Sequence, residues 1–193
     1  MRRICVFCGA NQGLNPVYAE HARTLGTRLV EAGYGLVYGG GSVGLMGVIA
    51  DSVLAAGGEV IGVIPEELAT KEVMHTGVTQ MHVVQSMHAR KALMAELSTA
   101  FIAMPGGYGT FEELFEVITW AQLGIHRKTI GLLNVAGFFD PLLQFVDHAI
   151  AESFIKPIHR ELIVVEAEAR ALITRLETHQ LPQVRKWIKL SES

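Results

Sequence analysis

Between Pro105 and Thr110 the chain places glycines at 106, 107 and 109, and two carboxylates follow at Glu113 and Glu116. Backbone without Cβ approaches a ligand closely and turns several N–H groups toward it. The helical pattern that opens near Thr110 adds the positive end of a helix dipole. This is the composition of an anion cradle. Glu113 and Glu116 are three residues apart, so on a helix they share a face beside whatever the cradle holds. A phosphate held next to carboxylates points to chemistry on a phosphorylated substrate. Thr110 and Glu113 also have the spacing of a helix capping box, which needs no ligand but leaves the number of glycines and the aromatic Tyr108 unexplained.

Two further features belong with the cradle. Arg90 and Lys91 are adjacent cations on a helical stretch that begins after Ser86 and leads to the strand before the glycine loop. Arginine offers a planar fork to phosphate or ribose oxygens, whereas lysine supplies a point charge. A second glycine cluster, Gly39 to Gly47, formally contains the Gly-x-Gly-x-x-Gly spacing of a dinucleotide site. It follows the second strand rather than the first, and Pro65 stands where an acid should meet a ribose. It therefore reads as a second wall of the same pocket.

The elements that must position these groups alternate along the chain. Strand signals lie at 4–8, 35–38, 59–64, 82–84, 100–104, 129–133 and 162–165. Helical patterns lie at 16–32, 43–56, 87–97, 110–123, 138–152 and 167–179, with an irregular stretch after Ile64. Near-continuous apolar strands between amphipathic helices predict an α/β fold, a doubly wound (Rossmann-like), mostly parallel sheet with helices on both faces. One domain over 1–180 is expected, with a C-terminal tail at 181–193.

Composition narrows the partners. With 193 residues, 50% hydrophobic, 18% charged and a net charge of −3, the chain suits a filled core and has no general attraction for nucleic acid or an anionic membrane. A small-molecule partner is expected. Arg2 and Arg3 precede an apolar run shorter than the ~7–15 residues of a signal peptide, so the run reads as the first strand of a cytoplasmic protein. Cys5 and Cys8 fall on opposite faces of that strand and read as buried reduced thiols. The eight histidines show no metal-ligand spacing, and neither a metal nor a cofactor is expected.

Three separated segments together resemble the LOG (Lonely guy) family: Ser86, Met87, Arg90 and Lys91; Pro105 through Thr110 with Glu113; and Trp120 through His126. The similarity extends to Phe7, Cys8 and Gly9, to Gly39 through Gly47, to Lys71, Glu72 and Val73, and to Gly131 through Asn134. The resemblance implies a cytokinin nucleoside 5'-monophosphate phosphoribohydrolase, which cleaves an N-glycosidic bond to give free base and ribose 5-phosphate. Members have often been labelled lysine decarboxylases. By the same resemblance Arg90 and Glu113 are the catalytic pair, and Glu72, Lys91, Gly106, Gly107, Tyr108, Gly109, Thr110, Glu116 and Thr119 line the nucleotide site. It also implies a homodimer whose contact involves the helix at 110–123. Ala10 departs from the serine that many relatives carry after Cys8 and Gly9.

Glycosidic cleavage develops oxocarbenium charge on the sugar and negative charge on the departing purine. Glu113 is assigned to the cation and the attacking water, Glu116 to ribose hydroxyls, and Arg90, always charged, to an electrostatic role. General AMP nucleosidase activity and a non-catalytic nucleotide sensor or carrier are the competing readings. A pyridoxal-phosphate decarboxylase would have to rely on Lys91.

Overall fold

The computed structural model describes residues 1–69 and 74–182. Its strands are β1 (Arg2–Phe7), β2 (Tyr34–Tyr38), β3 (Val60–Pro65), β4 (Gln80–Val84), β5 (Ala100–Ala103), β6 (Thr129–Leu133) and β7 (Ile163–Glu166). They form one sheet in the order β4-β3-β2-β1-β5-β6-β7, and every neighbouring pair is parallel. β2, β3 and β5 are buried along their whole length, which is why they read as unbroken apolar runs. β4, with Gln80 and His82 among its residues, lies at the edge and is partly exposed.

Helices α1 (Val17–Glu31), α2 (Gly44–Ala55) and α7 (Ala169–Thr178) cover one face of the sheet. Helices α4 (Met87–Glu96), α5 (Tyr108–Leu123) and α6 (Asp140–Ala151) cover the other. A short helix, α3 (Glu66–Ala69), follows β3 where the sequence reads as irregular. Leu25, Leu29 and Ile49 are fully buried between α1, α2 and the sheet, each worth about 1.5–3 kcal/mol of transfer free energy. Cys8 packs in this first core and Cys5 in the second, as the strand period requires, and both thiols are free and buried.

The winding sets the functional end. The chain steps outward from β1 to β4, then α4 carries it back to β5 on the other side of β1. The loops after β1 and β5 therefore part at their carboxyl ends and leave a crevice, the usual ligand position in an open parallel sheet.

Element ends agree with the sequence reading to within a few residues. The start of α5 is two residues earlier than the sequence predicts. The helix begins at Tyr108 with Gly107 as its extended N-cap, so Thr110 is already inside the first turn and no side chain caps the helix. The capping-box explanation of Thr110 and Glu113 is thereby removed. No helix among the described residues is long and apolar enough to cross a membrane. Of the tail at 181–193, only Leu181 and Pro182 fall within the described residues.

Candidate active site

The crevice holds a cavity of about 380 Å³, bounded by the loop after β1, the first turn of α2, the loop after β5 and the start of α5. Backbone hydrogen bonds tie these segments together. Gly9 N–H donates to the Pro105 carbonyl at 3.0 Å, and Leu45 N–H donates to the Gly9 carbonyl at 2.9 Å. Leu45 and Met46 line the cavity, so the second glycine cluster does form a wall of the pocket.

Gly106 packs against the loop after β1. A Cβ there would overlap the Thr110 hydroxyl and stand 2.8 Å from the Gly9 nitrogen, so a side chain would push the cradle away from β1. Gly106→Ala is expected to cost about 1–3 kcal/mol of stability. Nucleotide binding should weaken at least about tenfold through the displaced backbone donors. Thermal melts and the KM for a nucleoside monophosphate check this.

The polar end of the cavity is made by Arg90 and Glu113, which are 8% and 9% exposed. Ser86 caps α4 by accepting a hydrogen bond from Ala89 N–H at 3.1 Å, which places Arg90 one turn inside the helix. Its Nε donates to the Val63 carbonyl at 3.1 Å and its Nη2 to the Gly39 carbonyl at 3.0 Å. These bonds satisfy a buried cation that would otherwise be costly. Arg90 Nη1 lies 3.8 Å from Glu113 Oε1. Burial pushes the Glu113 carboxyl up to about 7, against a partial pull downward from Arg90. The carboxyl therefore takes up and releases a proton near neutrality.

Lys91 faces a different set of groups. Its Nζ bonds Glu112 at 2.5 Å and Glu116 at 3.0 Å. Burial works against the ammonium, but the two carboxylates raise its pKa overall. Thr119, one turn beyond Glu116, donates to the Phe115 carbonyl at 2.7 Å. Arg90, Glu113, Gly106, Gly107, Tyr108, Gly109 and Thr110 thus surround one cavity. Lys91, Glu116 and Thr119 lie along the neighbouring surface of α4 and α5, outside its lining. Glu72 lies outside the described residues. A Schiff-base lysine must shed its proton, so an ammonium held by two carboxylates does not suit the decarboxylase chemistry.

The sequence reading missed the opposite wall. Tyr18 and Phe138 meet edge to face at 5.9 Å, Phe138 stacks on Phe111 at 6.4 Å, and Asn11 and Gln12 complete that side. Phe138 follows β6 at the carboxyl end of the sheet, and that position was the available signal.

A family model described as "Possible lysine decarboxylase" matches residues 46–176. A cytokinin riboside 5'-monophosphate phosphoribohydrolase of Arabidopsis thaliana is 52% identical over 179 residues, covering 93% of this chain and 82% of its own. The cytokinin riboside 5'-monophosphate phosphoribohydrolase LOG of Oryza sativa subsp. japonica is 53% identical over 178 residues, covering 92% of this chain and 74% of its own. Among solved structures, the molybdenum cofactor binding protein of the phototrophic bacterium Rippkaea orientalis superposes with a TM-score of 0.70 at 21% identity, covering 92% of this chain and 97% of that one. The molybdenum cofactor carrier protein of Chlamydomonas reinhardtii gives 0.69 at 22%, covering 92% and 96%. At these identities the two structures share the fold alone. The sequence relatives are far closer and span nearly the whole chain, and on that ground the chain belongs to the LOG family.

Proposed function

We propose that the protein hydrolyses the N-glycosidic bond of cytokinin nucleoside 5'-monophosphates, such as isopentenyladenosine monophosphate, and releases free base and ribose 5-phosphate. The observation that carries this reading is the buried Arg90–Glu113 pair, 3.8 Å apart at the polar end of a cavity that opens at the start of α5. The phosphate sits against the backbone of Gly106, Gly107, Tyr108 and Gly109 with the Thr110 hydroxyl, where the helix dipole favours an anion. Glu113, as carboxylate, faces the sugar carbon that becomes positive as the bond to the base breaks. It orients a water molecule and takes its proton as the water oxygen bonds to that carbon. The bonding electrons leave with the purine, which becomes the free base by taking up a proton from solvent, while Glu113 releases the water proton to solvent and returns to the carboxylate. Arg90 remains charged and opposes the negative charge that develops on the leaving purine.

In this reading Glu116 reaches ribose hydroxyls from outside the lining of the single-chain cavity, and Glu72, Lys91 and Thr119 complete the nucleotide site. The protein works as a cytoplasmic homodimer with these residues near the subunit contact. The free buried thiols suit a reducing compartment, and the half-exposed Phe115 on α5 suits an apolar contact. Sedimentation at micromolar concentration checks the dimer.

A pocket that binds nucleotide without turnover gains nothing from a carboxylate beside a phosphate, because the like charges repel. General AMP nucleosidase activity remains the nearest competing reading, and Ala10, with no hydroxyl in the lining, bears on base preference. Parallel incubation with isopentenyladenosine monophosphate and with AMP, without added metal, separates these outcomes. Equimolar free base and ribose 5-phosphate are expected, faster from the isopentenyl substrate. Equal rates would favour the general nucleosidase, and binding without release would favour a sensor.

A further inference from the structure

We infer that Gly39 is a positioning residue for the reaction, because its missing side chain is the space that the Arg90 guanidinium occupies. Gly39 follows directly on β2, and its carbonyl accepts the Arg90 Nη2 hydrogen bond at 3.0 Å. A Cβ at this position would overlap Nη2, lie 3.3 Å from Cζ and stand 3.2 Å from Met46 Sδ. The next residue, Gly40, has a φ of +80° and is a glycine for backbone reasons. Gly39 is not among the glycines with positive φ, so an L-residue fits its backbone. What chiefly excludes a side chain at 39 is the arginine, since the contact with Met46 Sδ is far milder than the overlap with Nη2.

The position matters because the Nε and Nη2 edge of Arg90 is bonded to two carbonyls, while Nη1 has only the longer contacts to Met87 Sδ and Glu113, each at 3.8 Å, among the described residues. Gly39 and Val63 supply two carbonyls at the carboxyl ends of adjacent strands, and together they fix the plane of the fork opposite Glu113. A methyl group at 39 meets the far end of a long flexible side chain rather than backbone. The fold should therefore survive while the guanidinium swings away from its place beside Glu113.

The test is a double-mutant cycle of Gly39→Ala and Arg90→Ala, with thermal melts, kcat, KM and the pH dependence of kcat/KM. The inference rests on the phosphoribohydrolase reading for its kinetic arm and on none for its melting arm. Gly39→Ala alone is expected to lower kcat about 10–10²-fold, as for an approximately 1 Å misplacement of a catalytic group. KM should change less. The acid midpoint of kcat/KM should move upward, because Arg90 then pulls the Glu113 carboxyl down less. Adding Gly39→Ala to Arg90→Ala should cost little further activity or melting temperature, because the overlapped guanidinium is gone and only Met46 Sδ, the flexible end of a side chain 3.2 Å away, has to give by a few tenths of an ångström.

Wild-type kinetics in Gly39→Ala would overturn the inference. So would an equal loss in both Arg90 backgrounds, or failure of both Gly39→Ala proteins to fold, since each makes the glycine necessary for a reason other than the arginine. A wild-type protein that releases no base would defeat the functional reading, while the melting cycle would still decide whether residue 39 acts through Arg90.

Discussion

Glu113→Gln should lower kcat for free-base release by about 10²–10⁴-fold, the usual contribution of a positioned general base. The same substitution should make the protein more stable at neutral and alkaline pH. The carboxyl is held up to about 7 from an ordinary value of 4.5, chiefly because burial disfavours its charge. Between those two values the folded state binds more protons than the unfolded state. Stability therefore falls as pH rises from about 4.5 to about 7, and the deficit persists above. A shift of this size corresponds to about 3 kcal/mol at pH 8. Glutamine has the shape of the acid but no charge to bury, and Arg90 keeps the Gly39 and Val63 carbonyls when its anionic neighbour is gone. The variant should melt about 6–10 °C above wild type at pH 8 and close to it near pH 4.5. A loss of activity together with a loss of stability would assign Glu113 to the scaffold instead.

Arg90→Lys should be nearly as damaging to turnover, although it keeps the positive charge. A guanidinium donates through Nε to Val63 and through Nη2 to Gly39 while Nη1 stays 3.8 Å from Glu113. A single ammonium does not reproduce that fork in one plane. Loss of the fixed cation opposite the developing charge should lower kcat by about 10²–10³-fold. One strand-end carbonyl left without its donor should cost about 1–3 kcal/mol. The kinetic loss should fall on kcat more than on KM, because the charge that Arg90 opposes appears only as the glycosidic bond breaks. A raised KM with unchanged kcat would instead make Arg90 a binding residue for the ground-state phosphate.

What the sequence made legible follows from how local each signal is. The glycine loop at 106–109 and the carboxylates after it are neighbours in the chain, and strand and helix periods suffice to place them at one end of a parallel sheet. The start of α5 lies two residues before the one the sequence predicts, because Tyr108 and Gly109 look like loop whereas Gly107 supplies the N-cap from an extended conformation. Arg90 could be picked out as a cation near a helix start. Its restraint could not, since the carbonyls that hold it are 27 and 51 residues away along the chain. Lys91 carried the same sequence signal as Arg90, yet the helix turns it toward Glu112 and Glu116 and out of the cavity lining. Tyr18 and Phe138 have the spacing of core aromatics, and although the place of Phe138 after β6 points to the ligand end of the sheet, nothing in the sequence says that the two meet across two helix starts.

The most direct test of the central claim is the pH dependence of kcat/KM for free-base release from isopentenyladenosine monophosphate, from about pH 5 to 9, with free base and ribose 5-phosphate both quantified. Because kcat/KM reports the free enzyme, the rate should climb with pH through a midpoint of about 7, as the Glu113 carboxyl loses its proton. A profile that is flat across that range, or products that are nucleoside and inorganic phosphate, would contradict the account.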